Sequence, residues 1–182
     1  MKPMLYLIVF ATMLAACKKD KGATSILEIW DAGPMDTGWG SAVRDGSVWQ
    51  ATAFAVHHST DTNYIGLYFN TYTTDGSRRE QILLNEIPLQ LGKYPLKGHI
   101  SEIYDGSVGS TYGCAEDDGD VLGAAYHPDD GEGIFELTKL DMVNKVVAGT
   151  FTRIVFKNRI SNSPYPQTVI FENGKFEMSI TD

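Results

Sequence analysis

The sequence predicts an all-β protein, an antiparallel β-sandwich or partly closed β-barrel of about ten short strands. Three observations carry this prediction. The 18 glycines all fall after residue 21, which calls for many tight turns and therefore many short strands. Strand-sized apolar stretches are separated by Asp45-Gly46, Asp75-Gly76, Asp105-Gly106 and Asn173-Gly174, and Asx-Gly supplies the positive-φ pair of a tight hairpin turn. No ten-residue window shows convincing 3.6-residue periodicity, so no helices stand between the strands to cross over a parallel sheet.

Residues 1–16 read as a lipoprotein signal peptide. Lys2 precedes an apolar or small run from Met4 to Leu14, too short to span a hydrocarbon core of ~30 Å as a helix but matching the apolar region of an export signal. The run ends in Leu14-Ala15-Ala16-Cys17. This resembles a bacterial lipobox, in which the chain is cut before the cysteine and the thiol is acylated, so Cys17 is the candidate lipid attachment. The plainer alternative is an ordinary signal peptide with an incidental cysteine. Residues 17–38 then form a lipidated tether and lead-in, with Lys18, Lys19 and Asp20 followed by the apolar patch Ile26 to Trp30.

Residues 39–182 form a single all-β domain, in keeping with a length of 182 residues. Apolar content of 43% with 11% aromatics excludes a disordered chain. Ile65, Leu67 and Phe69 alternate with Tyr64, Gly66 and Tyr68, and Phe176, Met178 and Ile180 alternate with polar residues, the pattern of half-buried strands. Further strands are expected near 48–56, 80–85, 100–104, 109–114, 121–127, 133–139, 146–157 and 167–172. Trp49 opens a strong strand and is expected in the core. With Cys17 acylated, Cys114 has no partner for a disulfide and reads as a buried small apolar residue, or more sharply as a reactive thiol.

Charge excludes one class of function. The formal net charge of -8 lacks the basic footprint that nucleic-acid binding needs. Between Gly98 and Thr138 lie ten acids and no Lys or Arg. Two acidic turns stand out, Glu116-Asp117-Asp118-Gly119-Asp120 and Asp129-Asp130-Gly131-Glu132. Oxygen-rich loops of this kind suit a hard cation, making Asp117, Asp118 and Asp120 a candidate Ca²⁺ site. The blander explanation is that tight turns favour Asp and Gly and leave the acids solvated.

Enzyme signatures are absent: the chain has no Gly-x-Ser-x-Gly, His-Glu-x-x-His, phosphate-binding loop or dinucleotide fingerprint. Adjacent strand residues face opposite ways, so His57 and His58 share a metal only within a turn. The expectation is therefore a protein that is not an enzyme, with a hydrolytic site assembled from distant residues as a lesser reading. Tyr64, Tyr68 and Tyr72 fall on one face of a strand, and Gly66 between two of the rings leaves a shallow groove where a sugar or peptide stacks. Trp30 and Trp39 are candidates to extend that surface. The competing explanation is cross-strand packing on a covered face.

Several segments in order, Val48-Trp49-Gln50-Ala51, Leu91-Gly92-Lys93-Tyr94-Pro95-Leu96, Leu137 to Asp141 with Asn144 to Phe151, and Asn173-Gly174-Lys175-Phe176, resemble a family of uncharacterised Bacteroidetes lipoproteins with a domain of unknown function. The resemblance covers roughly residues 39–180. It implies a small all-β lipidated protein of the cell envelope, at the outer membrane, and implies no activity. In that group, acidic residues just after the cysteine accompany surface display, and here there is the single acid Asp20, so periplasmic and surface orientations both stand. The expected function is a membrane-anchored binding or interaction module for a glycan or peptide. The alternative is a structural envelope component with a protein partner.

Overall fold

A computed structural model of the chain describes residues 37–57, 63–98, 106–116, 121–160 and 162–181. Ten strands form one sheet: β1 (Gly38–Arg44), β2 (Ser47–His57), β3 (Tyr64–Tyr72), β4 (Arg78–Pro88), β5 (Gly92–Lys97), β6 (Val108–Ala115), β7 (Leu122–His127), β8 (Ile134–Asp141), β9 (Val146–Asn158) and β10 (Thr168–Thr181). There is no helix among the described residues. Hydrogen bonding returns on itself, running β1-β2-β3-β4-β6-β5-β8-β9-β10 and back to β1, with β7 bridging β6 and β9. The all-β expectation holds, and this ring-like order fits a sandwich or partly closed barrel. Pairings are antiparallel except β5 with β6 and β10 with β2.

One face of every strand lines a common interior. Ile65, Leu67 and Phe69 of β3 and Ile82 and Leu84 of β4 are fully buried, as period-2 alternation dictates. Trp49 is in the core as expected, its ring 5.1 Å from Phe171 in an edge-to-face contact. Interior volume is shared between glycines and phenylalanines that face each other inside the sheet. A Cβ at Gly174 would lie 2.1 Å from the Phe151 ring, and one at Gly40 would lie 2.5 Å from Phe69.

The turn reading is right at one end and wrong at the other. Asp45 and Gly46 both take positive φ, 47° and 79°, and close the β1–β2 hairpin. Asn173-Gly174 makes no hairpin. Asn173 has φ 56° inside one continuous strand, β10, where its pairing with β1 slips. The extra residue moves the inward positions from odd (Val169, Phe171) to even (Phe176, Met178, Ile180). Two expected strands, 167–172 and 176–180, are thus one. β1 and β5 were not expected, and the strand expected at 100–104 lies outside the described residues.

Candidate functional site

The outer face of β3 carries the tyrosines singled out from the sequence. Tyr64 and Tyr68 lie there, half-buried, and Tyr68 stacks on Phe54 of β2 at 4.8 Å with 3° between the rings. The two are direct cross-strand partners, so the contact follows from register. Tyr72, also half-buried, faces Arg78 beyond a slip in pairing that leaves Arg79 as the extra residue. The notch expected at Gly66 is filled: a Cβ there would meet Asn85 Oδ1 at 3.1 Å and Tyr68 Cε2 at 3.4 Å. Trp39 is 36% exposed, and Trp30 lies outside the described residues.

The open space lies farther along the same face, towards β4, β6 and β7. A groove of about 360 Å³ is walled by Arg78, Arg79, Gln81, Thr111, Leu122 and His127, over a floor that includes Gly113 and Ala125. Strand register ties it to the tyrosines. Tyr68 pairs with Leu83 and Leu83 with Thr111, while Asn70 pairs with Gln81, Gln81 with Gly113 and Gly113 with Ala125. Gln81 Nε2 donates to Asn70 Oδ1 at 2.9 Å, fixing both amides, and Arg79 donates to the Ala115 carbonyl at 3.3 Å. The wall therefore offers guanidinium, amide, hydroxyl and imidazole groups, and the stacked aromatic pair lies on the same face with Leu83 between Tyr68 and Thr111. This combination orients a polar ligand while a ring packs against its apolar face.

On the inner side of the same strands sits a buried carboxylate. Glu80 accepts hydrogen bonds from Trp49 Nε1 at 2.9 Å, Tyr112 Oη at 3.1 Å and Thr71 Oγ1 at 3.3 Å, and is paired with Arg44. Its side chain is 6% exposed. Burial by itself would lower the Arg44 guanidinium, but Glu80 and Tyr112 beside it reverse this and the net direction is upward. Burial, reinforced by Glu80, holds the Tyr112 phenol well above its ordinary value. Burial likewise pushes Tyr126 up to about 12, and its hydroxyl donates to the Pro166 carbonyl at 3.0 Å. Glu80 and its partners tie five strands together, β1, β2, β3, β4 and β6, and give the groove a firm underside.

Tertiary structure supplies the acidic block with the bases its own segment lacks. Asp129 is paired with Lys157 and lies 3.0 Å from Arg159, Glu132 lies 3.7 Å from Lys157, and Glu136 lies 3.7 Å from Lys93. Asp130 Oδ1 accepts from the Gly98 amide at 3.1 Å. The second acidic turn is therefore an ion-pair network on β9. The proposed metal residues Asp117, Asp118 and Asp120, like Cys17 and His58, lie outside the described residues. Among the described residues no group of three His, Cys, Asp or Glu side chains is placed to hold a metal, and no helix is long and apolar enough to cross a membrane. Cys114 is fully buried, as expected, but it is disulfide-bonded. Its partner lies outside the described residues, and the expectation of an unbridged cysteine is corrected.

The groove residues were missed because nothing in Arg78-Arg79-Glu80-Gln81 marks which side chain faces in. The available signal was parity with Ile82 and Leu84, which places Glu80 inside and Arg79 and Gln81 outside. No protein-family model, curated protein or solved structure matches this chain. The class the fold and face define is that of an all-β domain with a polar outer groove and, on the same face, a stacked aromatic pair.

Proposed function

We propose that this protein is a lipid-anchored component of the bacterial envelope, held at the outer membrane through Cys17, and that its domain is a non-enzymatic binding module for a glycan. The observation that carries the binding reading is the outer groove of about 360 Å³ with Arg78, Gln81, Thr111 and His127 on its wall and the Phe54–Tyr68 stack on the same face. Planar and hydroxyl groups that donate and accept hydrogen bonds suit the hydroxyls of a sugar, and an aromatic ring suits its C–H face. A peptide is the other ligand such a groove accommodates.

A carbohydrate array, followed by calorimetry on the hits, tests the binding reading. A hit whose affinity falls at least tenfold in Gln81→Ala and Tyr68→Ala supports it. An array empty of hits, together with a peptide library empty of hits, overturns it. The anchor rests on the lipobox-like run before Cys17, and its test uses cysteine chemistry. The chain has two cysteines, so a Cys17 thioether and an intramolecular disulfide at Cys114 exclude each other. The anchor reading therefore requires Cys114 to be out of the disulfide described above: membrane-extracted protein should carry an acylated Cys17 and one titratable thiol after denaturation. An unmodified Cys17 in that fraction overturns the anchor.

A further inference from the structure

The end of the domain where β1 begins is also the end where β8 turns into β9. Thr37 Oγ1 donates to the Ser179 carbonyl at 3.2 Å. Ser179 pairs with Val146, and Val146 with Asp141. The point where the chain from Cys17 joins the domain and the β8–β9 tip are thus separated by three strand spacings, about 15 Å.

That tip is apolar and rigidly built. Val143 is 93% exposed, more than any other large apolar side chain among the described residues, and its neighbour Met142 is 46% exposed. Asp141 fixes the turn: its Oδ1 accepts from the amides of Val143 at 3.1 Å and Asn144 at 3.0 Å, and its Oδ2 accepts from Asn144 Nδ2 at 2.7 Å. Lys145 completes it at φ 52°. A turn held by its own aspartate has no structural need for Met and Val at the exposed positions, where polar residues are the usual choice.

We propose that Met142 and Val143 form a membrane-contact point, inserting into the headgroup and acyl boundary of the bilayer that holds the Cys17 lipid. This rests on the lipid-anchor reading above. The 19 residues between Cys17 and Thr37 span at most ~70 Å when extended. They bring this end of the domain to the membrane without fixing its orientation, and the tip supplies the fixing contact. Lys145 stands at the level of the headgroups, where an ammonium remains solvated while its stem lies against apolar surface. The groove then faces away from the bilayer. His127 pairs with Lys157, eleven residues along β9 from Val146, or roughly 35 Å.

The test uses the mature acylated protein in vesicles of phosphatidylcholine and phosphatidylglycerol with brominated acyl chains. Val143→Trp adds an indole at the tip. Val48→Trp adds one at the opposite end, where Val48 is 78% exposed beside the β1–β2 turn. The expected result is a blue-shifted, bromine-quenched difference spectrum for Val143→Trp and an unquenched one for Val48→Trp. Equal quenching of the two, or none at residue 143, overturns the inference while leaving the anchor intact. Loss of membrane binding in Cys17→Ala alongside quenching at residue 143 in the acylated protein supports both. Acylated wild-type protein that stays in the aqueous phase overturns both.

Discussion

Glu80 and Asp129 are both carboxylates facing cations, yet they occupy opposite extremes. Glu80 is 6% exposed and takes donors from β1, β2, β3 and β6. Asp129 is 47% exposed and, among the described residues, its carboxylate meets Lys157 of β9 and Arg159 just beyond it. Water can replace either partner of Asp129. Nothing can replace the partners of Glu80, because removing it leaves the half-buried Arg44 and three hydroxyl or indole donors facing an apolar interior. The difference teaches that a charge inside this sheet clasps four strands to its own, whereas one outside it adjusts solubility and pH response.

The largest effect that sharpens this contrast is expected from Glu80→Ala. Breaking a buried ion pair by removing one partner costs about 3–5 kcal/mol, read from denaturant unfolding. A loss below about 1 kcal/mol would show that Arg44 and Tyr112 find other partners, and the contrast would collapse. Trp49→Phe is expected next. It keeps a ring against Phe171 but deletes the Nε1–H bond to Glu80, where a hydrogen bond to a charged group contributes about 1.5–3 kcal/mol, and it adds the cost of the core volume that the smaller ring leaves unfilled.

Alkaline titration probes the interior without mutation. Tyr126 is pushed up to about 12 by burial and Tyr112 also titrates well above its ordinary value. In the unfolded chain both phenols ionise near ~10. The stability they contribute is therefore complete below that pH and is lost as pH rises towards 12. Phenolate absorbance should show Tyr112 and Tyr126 titrating late, with Tyr94 also raised by burial, and early titration of Tyr112 and Tyr126 would mean that water reaches the underside of the groove.

Asp129→Asn should have the smallest effect, with a melting midpoint not resolvable from wild type at high salt. Hydrogen bonds from Lys157 and then Arg159 hold the Asp129 carboxyl below its ordinary value. Its contribution is present above the unfolded value of ~3.9 and is lost as pH falls through the depressed folded value. A midpoint difference between the two proteins that grows above that pH instead of vanishing in salt would promote Asp129 from surface pair to structural clasp.

Much of the fold could be read from the chain because alternation is local. Ile65, Leu67 and Phe69 face in since successive Cβ atoms point to opposite sides of a strand, and the same rule places Tyr64 and Tyr68 outside. Asp45-Gly46 closes a hairpin since both residues accept positive φ. The rule fails at Asn173-Gly174, where an equivalent Asx-Gly dipeptide is absorbed into β10 as a bulge because β9 and β1 pair with the chain on both sides of it. A turn signal states what the backbone can do there, and neighbouring strands decide whether it does.

The candidate face divides the same way. Tyr68 was readable as an outward ring, but its stacking on Phe54 and the filling of the Gly66 notch by Asn85 depend on which strands lie beside β3. Arg79, Gln81, Thr111 and His127 come together only through the pairing of β4 with β6 and β6 with β7. By itself, then, the sequence determined strand content, inner and outer faces and the two-residue turn at Asp45, all set by φ, ψ and Cβ geometry over a few residues. Tertiary structure alone decided which carboxylate is clasped, which acids are neutralised and where the groove opens. Those depend on register between strands far apart in the chain, and register is fixed by the packing of the whole interior.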